Sequence, residues 1–300
     1  SFKWTKVEHM MYYEHFKLLW DYEIENGWRF KLQAATEKDE PTQQMFYQPL
    51  DGTPATPDAA RHYSYLRTAD FKVDISFQPG VTWINTKHRR IPANRDAPIY
   101  SLSHTTGLYS FGRAAYAYNL TEASIYKRFW LRSWGKIDTY LKGGVQWNKV
   151  PYPMLIMPPA NTFCMIDNME FLNDRYASLM LSWDMNGKIF NRIPLLKKLK
   201  WREYIACNVL WGTLTKKNNP FLERNATDGR LLHFPGHFNA DGSYTYTSHV
   251  MDYKKPYVEV IAGIHNIFKL FHIEYVRRLT YTDTPGVDKW GIRGMFRITF

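Results

Sequence analysis

The stretch Gly291-Ile292-Arg293-Gly294-Met295-Phe296-Arg297-Ile298-Thr299-Phe300 decides the fold, because it alternates to its last residue. Ile292, Gly294, Phe296, Ile298 and Phe300 point to one side of an extended chain, and Arg293, Met295, Arg297 and Thr299 to the other. One side is apolar and the segment ends on an aromatic. Outer-membrane barrels give their closing strand this form: alternation separates a lipid face from a lumen face, and an aromatic side chain sits at the interface. Ile292, Phe296, Ile298 and Phe300 are therefore expected to face lipid.

The same period of two recurs upstream. Phe71, Val73, Ile75 and Phe77 oppose Lys72, Asp74 and Ser76. Ile137, Thr139, Leu141, Gly143, Val145 and Trp147 oppose Lys136, Asp138, Tyr140, Lys142, Gly144 and Gln146. Leu179, Leu181 and Trp183 are set against Ser178, Met180, Ser182 and Asp184; Trp28, Phe30, Leu32 and Ala34 against Arg29, Lys31 and Gln33; Phe271, Ile273 and Tyr275 against His272 and Glu274.

A soluble antiparallel sandwich also alternates, so the choice of membrane rests on three further features. Aromatics make up 17% of the chain, with 21 Tyr and 11 Trp, and many fall near strand ends, as interfacial girdles require. Charges lie in mid-strand on the polar face, where a watery lumen solvates them. Connections come in two kinds, short (Ser133 to Gly135; Asn266 to Lys269) and long (Thr213 to Pro256), matching periplasmic turns and extracellular loops. The long connection, rich in Gly and Asn, is expected to be functional, disordered, or both. Gln48 to Ala60 and Lys87 to Pro98 read as exposed loops, and Pro151 to Asn161, with four prolines, as irregular chain.

Composition narrows the classes. Mean hydropathy is −0.46 and no apolar run approaches the length of a transmembrane helix, which leaves a barrel open. The chain opens at Ser1 without a signal region and is expected to be mature or truncated. Cys164 and Cys207 lack a metal-site spacing, so two unpaired thiols are expected, with a single bridge as the alternative. A net charge of +11 invites a nucleic-acid reading. The basic residues are dispersed, however, and no nucleic-acid signature accompanies them, so rims and lumen are the expected place for them.

No catalytic or metal constellation stands out. Ser103-His104 and Ser248-His249 are neighbours in extended chain and point to opposite faces, which prevents a dyad. His233, His237 and His249, with Asp241 and Asp252, lie in the long loop without a helical ligand spacing. Glu259, Glu274, Arg293 and Arg297 all fall on the lumen side of the last three strands. Charges inside a barrel must pair or be solvated, so a cross-strand Glu and Arg network is expected, structural first and gating as the sharper alternative. Leu195, Leu196 and Leu199 with Lys197, Lys198 and Lys200 form a basic amphipathic turn. Its plain reading is a capped turn at the barrel end, and its functional reading an anchor at a headgroup layer or a docking point.

Asp174-Arg175-Tyr176-Ala177-Ser178, then Phe190-Asn191-Arg192-Ile193-Pro194 through Trp201-Arg202-Glu203, resembles the C-terminal barrel of a Bacteroidota outer-membrane family of unknown function. Pro256-Tyr257-Val258-Glu259, Gly263 to Lys269 and Tyr275 to Leu279 agree with it, as do Gly143 to Pro153 and the closing strand. The resemblance implies a carboxypeptidase-regulatory-like sandwich followed by a barrel, of which this chain holds only the barrel. It implies no activity or catalytic residue.

The expected object is thus one all-β domain over residues 1–300, an antiparallel transmembrane outer-membrane β-barrel of roughly twelve to sixteen strands including any N-terminal part outside the sequence. Its expected role is non-enzymatic: transport, or a subunit of an envelope assembly or export complex. The expected partners are outer-membrane lipid and other envelope proteins, without nucleic acid, cofactor or metal. A barrel enzyme acting on lipid or peptide and a soluble sandwich binding module are the rivals.

Overall fold

The protein is seen in a computed structural model that describes residues 11–42, 45–51, 53–54, 62–87, 90–110, 115–158 and 162–296. Arg297, Ile298 and Phe300 lie outside the described residues; of the expected closing-strand residues the structure shows Ile292 and Phe296, both exposed. The strands are β1 (Met11–Glu23), β2 (Trp28–Pro41), β3 (Leu66–Phe77), β4 (Trp83–Asn85), β5 (Arg90–Pro92), β6 (Ile99–Gly107), β7 (Tyr118–Trp130) and β8 (Lys136–Gln146). They continue with β9 (Arg175–Asp184), β10 (Arg202–Thr213), β11 (Gly236–Phe238), β12 (Tyr244–Tyr246), β13 (Tyr257–Ile267), β14 (Phe271–Arg278) and β15 (Trp290–Phe296). A short helix, α1 (Pro194–Leu199), lies between β9 and β10.

Eleven strands make one sheet in the order β1-β2-β3-β6-β7-β8-β9-β10-β13-β14-β15, every pair antiparallel. The remaining four form two small hairpins, β4 with β5 and β11 with β12, inside connections. Among the described residues β1 and β15 are the edges.

Register turns the alternation into two continuous faces. Ile292 lies across from Tyr275, Tyr275 from Ala262, Ala262 from Ile205, Ile205 from Trp183 and Trp183 from Ile137, so one apolar row crosses six strands. Further along the sheet, on the same face, Leu141 meets Ile125, Ile125 meets Tyr100, Tyr100 meets Phe77 and Phe77 meets Trp28. No described residue covers this face: Ile292 is 64% exposed, Ile273 50%, Leu102 53% and Leu141 43%. A soluble sandwich would spend this face on a second sheet, since contiguous bare apolar surface on such a scale is foreign to soluble monomers.

The hydrophobic core lies elsewhere. Its largest cluster joins Met45, Tyr47, Val150, Tyr152, Leu172, Leu232 and Phe234, contributed by the connections 42–65, 147–174 and 214–256. All three emerge at the same end of the sheet, where β2, β8 and β10 finish. Buried Asp174 knits two of them, accepting from the Thr215 backbone at 3.0 Å and from Asn218 Nδ2 at 2.9 Å, while Asn218 Oδ1 accepts from the Val150 backbone at 2.9 Å. Lys149 pairs with Asp228 and holds that carboxyl below its ordinary range.

One expectation is narrowed here and one corrected. Of the alternatives for the long connection, disorder is removed, because Leu214, Leu231, Leu232, Phe234 and Met251 are buried and a hairpin stiffens it. Gln48 and Leu50 are buried as well, since the 45–51 segment bridges to Leu232 and bonds Leu231 and His233. At the opposite end connections are shorter, and Gly135 closes one of them at φ +79°, where a Cβ would strike the Asp184 carbonyl.

Candidate functional site

The polar face of β10, β13, β14 and β15 carries a segment of the 147–174 connection as an inner plug. Phe163, Cys164, Met165 and Ile166 are all buried against it. Because these strands alternate, Ala206, Asn208 and Leu210 on β10, Tyr257, Glu259 and Ile261 on β13, and Glu274, Val276 and Arg278 on β14 share the inner face. Leu210, Tyr257, Ala206, Ile261 and Val276 supply apolar seats, and the others supply anchors.

Glu259 is fully buried, and its carboxylate accepts from the backbone N–H of Cys164 at 3.0 Å and of Met165 at 3.1 Å. Asn208 Nδ2 donates to it at 2.9 Å and the Tyr257 hydroxyl at 3.0 Å. Asn208 Nδ2 also reaches the Thr162 carbonyl at 2.9 Å. Such a set of donors is what a dry carboxylate needs.

Arg278, equally buried, forks onto Glu170 with contacts of 2.6 and 3.0 Å and donates to the Met165 and Thr280 carbonyls. Its guanidinium lies 5.0 Å from the Tyr257 ring centre and 5.7 Å from that of Phe171. Next to this pair, burial lowers the proton affinity of His249, against the pull of Glu170. Arg293 completes the anchor: Nε donates to Glu274 at 2.8 Å and Nη1 to Cys164 Sγ at 2.8 Å, while Glu274 bonds His265 at 2.9 Å. Beside the plug a cavity of about 190 Å³ remains, lined among others by Tyr126, Asp138, Tyr204, Asn208 and Arg293.

The structure brings Glu274 and Arg293 together as cross-strand neighbours. Among the described residues it does not pair Glu259 with an arginine, and Arg297 lies outside them. Although Arg278 stands opposite Glu259 in register, it turns to Glu170, and Glu259 is satisfied by backbone N–H groups. Glu170, Arg278, Asn208 and Cys164 were not among the expected site residues. Arg278 shares the parity of His272 and Glu274 and was legible on that ground, whereas Glu170 sits in chain without a period.

The other candidates disperse. His104 bonds Thr121 on the apolar face while Ser103 is buried on the other, and His233 bonds the Tyr246 hydroxyl. Cys207 faces outward, across from Leu181 and Val260, and Cys164 inward, so no bridge joins them. Leu195, Lys197, Lys198 and Lys200 are exposed on and just after α1, and Leu199 is 38% exposed, while Leu196 is partly covered.

These features define an outer-membrane β-barrel fold: one antiparallel sheet, apolar outside, polar inside and plugged along β10, β13, β14 and β15 by its own loop. Comparison with solved structures agrees. The chain is similar to BamA from Haemophilus ducreyi lacking POTRA domains 1–3, with a TM-score of 0.54 and 10% identity over 96% of this chain and 55% of that one. It thus spans little more than half the length of that structure. No curated protein matches it in sequence. Residues 5–226 match the model of the family described as "Family of unknown function (DUF5686) C-terminal domain", and the chain belongs to that family.

Proposed function

We propose that this chain works in the bacterial outer membrane as a non-enzymatic barrel with a closed lumen, either as a transport barrel or as a subunit of an envelope assembly or export complex. The observation that carries this is the uncovered apolar face across the whole sheet, backed by a polar face on which a loop is anchored. Such a sheet is stable only with lipid on one side. Lipid also demands that edge N–H and C=O groups be paired, so in the working protein the free edges of β1 and β15 are met by further strand. A Bacteroidota origin and a preceding carboxypeptidase-regulatory-like sandwich belong to the same proposal, on the strength of the resemblance in sequence.

The plug favours a subunit role over an open pore, because the anchors on Glu259, Arg278 and Arg293 occupy the lumen wall. Fractionation of cells, followed by planar-bilayer recording of the purified protein, tests this. The protein is expected in the outer-membrane fraction, released only by detergent, with little steady conductance. Recovery in the aqueous phase would overturn the membrane assignment, and a large resting conductance would overturn the closed lumen.

A further inference from the structure

The end of the barrel opposite the loop cap carries a cleft of about 550 Å³ between Trp130, Leu131, Arg132, Trp134 and Trp183. Trp183 Nε1 donates to the Trp134 carbonyl at 2.9 Å, which ties the β7–β8 turn to β9. Lys188 donates to Ser133 Oγ at 2.9 Å and holds its ammonium 5.3 Å from the Trp134 ring centre, at the cleft. The adjoining connection, residues 185–201, contains Lys188, Arg192, Lys197, Lys198 and Lys200 and no acidic residue; Asp184 and Glu203 flank it in β9 and β10. No ion pair joins any of these, or Arg132, to a carboxylate among the described residues.

Apolar side chains share the rim. Ile189 is 47% exposed, Ile193 46%, Leu195 68% and, on the next turn, Phe268 73%. Indole rings, unpaired cations and bare aliphatic groups at one level match a boundary where acyl chains give way to phosphates. A basic and aromatic pairing recurs on the β4–β5 hairpin at this end, where Arg90 lies 4.9 Å from the Trp83 ring centre.

We propose that this cleft is a binding site for an anionic phospholipid, with Arg132 and Lys188 on the phosphate, the three tryptophans around the glycerol and upper acyl chain, and the α1 lysines on neighbouring headgroups. The site rests on the outer-membrane reading, which makes this short-turn end the periplasmic one. Charge selects the occupant: a zwitterionic headgroup carries no net charge to meet so many unpaired cations, and the indoles have no use for a free anion.

Native mass spectrometry of the whole chain released from nanodiscs tests the site, with phosphatidylglycerol and phosphatidylcholine supplied together. Wild type is expected to retain phosphatidylglycerol in preference. Removal of each charge in R132Q/K188Q is expected to cost about fivefold in that preference. K197Q/K198Q/K200Q, on an exposed turn, is the second variant and is expected to weaken it too, while K216Q/K254Q, in the 214–256 loop at the other end, keeps it. Equal retention of the two lipids, an unchanged preference in both rim variants, or displacement of the lipid by inorganic phosphate would overturn the proposal while leaving the barrel intact. Failure of wild type to enter nanodiscs would overturn the barrel reading and the site together.

Discussion

The inner face of the sheet behaves in two ways. Along β10, β13, β14 and β15 it is covered by the plug, and Glu259, Glu274 and Arg278 are almost without solvent. Along β1 it is bare: Tyr13 is 64% and Leu19 55% exposed although both point inward. The alternation is equally regular in the two regions. What differs is whether a loop folds back onto the polar face, so in this protein burial follows the connections, and the sheet supplies a wall rather than a core.

The largest effect is expected where the wall is covered. Arg278→Met leaves Glu170 buried without its partner, which costs about 3–5 kcal/mol, whereas adding Glu170→Gln restores much of that. Loss of heat-modifiable gel mobility in the single variant and recovery in the double one is the expected pattern. Equal behaviour would mean that the pair is solvated, and that the covered and bare regions do not differ.

A somewhat smaller loss is expected on the outer face. Leu181→Arg puts a charge on the lipid side at mid-strand, at about 2–4 kcal/mol, while Ser182→Arg, on the polar side of the same strand, is expected to cost less. Urea unfolding in lipid vesicles reads the difference. Greater damage from the Ser182 variant would reverse the faces.

The smallest effect belongs to the bare region. Arg29 donates to Asp21 at 2.8 Å, yet the two side chains are 45% and 31% exposed, so Arg29→Gln is expected to change stability by less than about 1 kcal/mol. A loss as large as that from Arg278→Met would show that the β1–β2 wall is covered in the working protein.

Much of the wall was legible in the sequence, because a period of two survives in Phe71 to Phe77, Lys136 to Gln146 and Phe271 to Tyr275, where one face is apolar and left uncovered by the described chain. The Glu274 and Arg293 pair followed from parity and proximity. The plug was not legible. Cys164, Met165 and Glu170 lie in aperiodic chain after a proline-rich run, and their partners on β13 and β14 are about a hundred residues away in sequence. The order of the 214–256 connection was hidden for the same reason: its polar and glycine content marks a loop, while its burial depends on other loops.

The two cysteines measure the central claim directly, since Cys207 marks the outer face and Cys164 the plugged inner one. In vesicles, a fluorophore placed on Cys207 of the Cys164→Ser protein is expected to be quenched by acyl-chain-labelled lipid and not by aqueous iodide. Cys164 of the Cys207→Ser protein is expected to resist a charged maleimide until the chain is unfolded. Quenching of the Cys207 label by iodide alone, together with rapid labelling of Cys164 in the folded protein, would contradict both the lipid-facing wall and the plug.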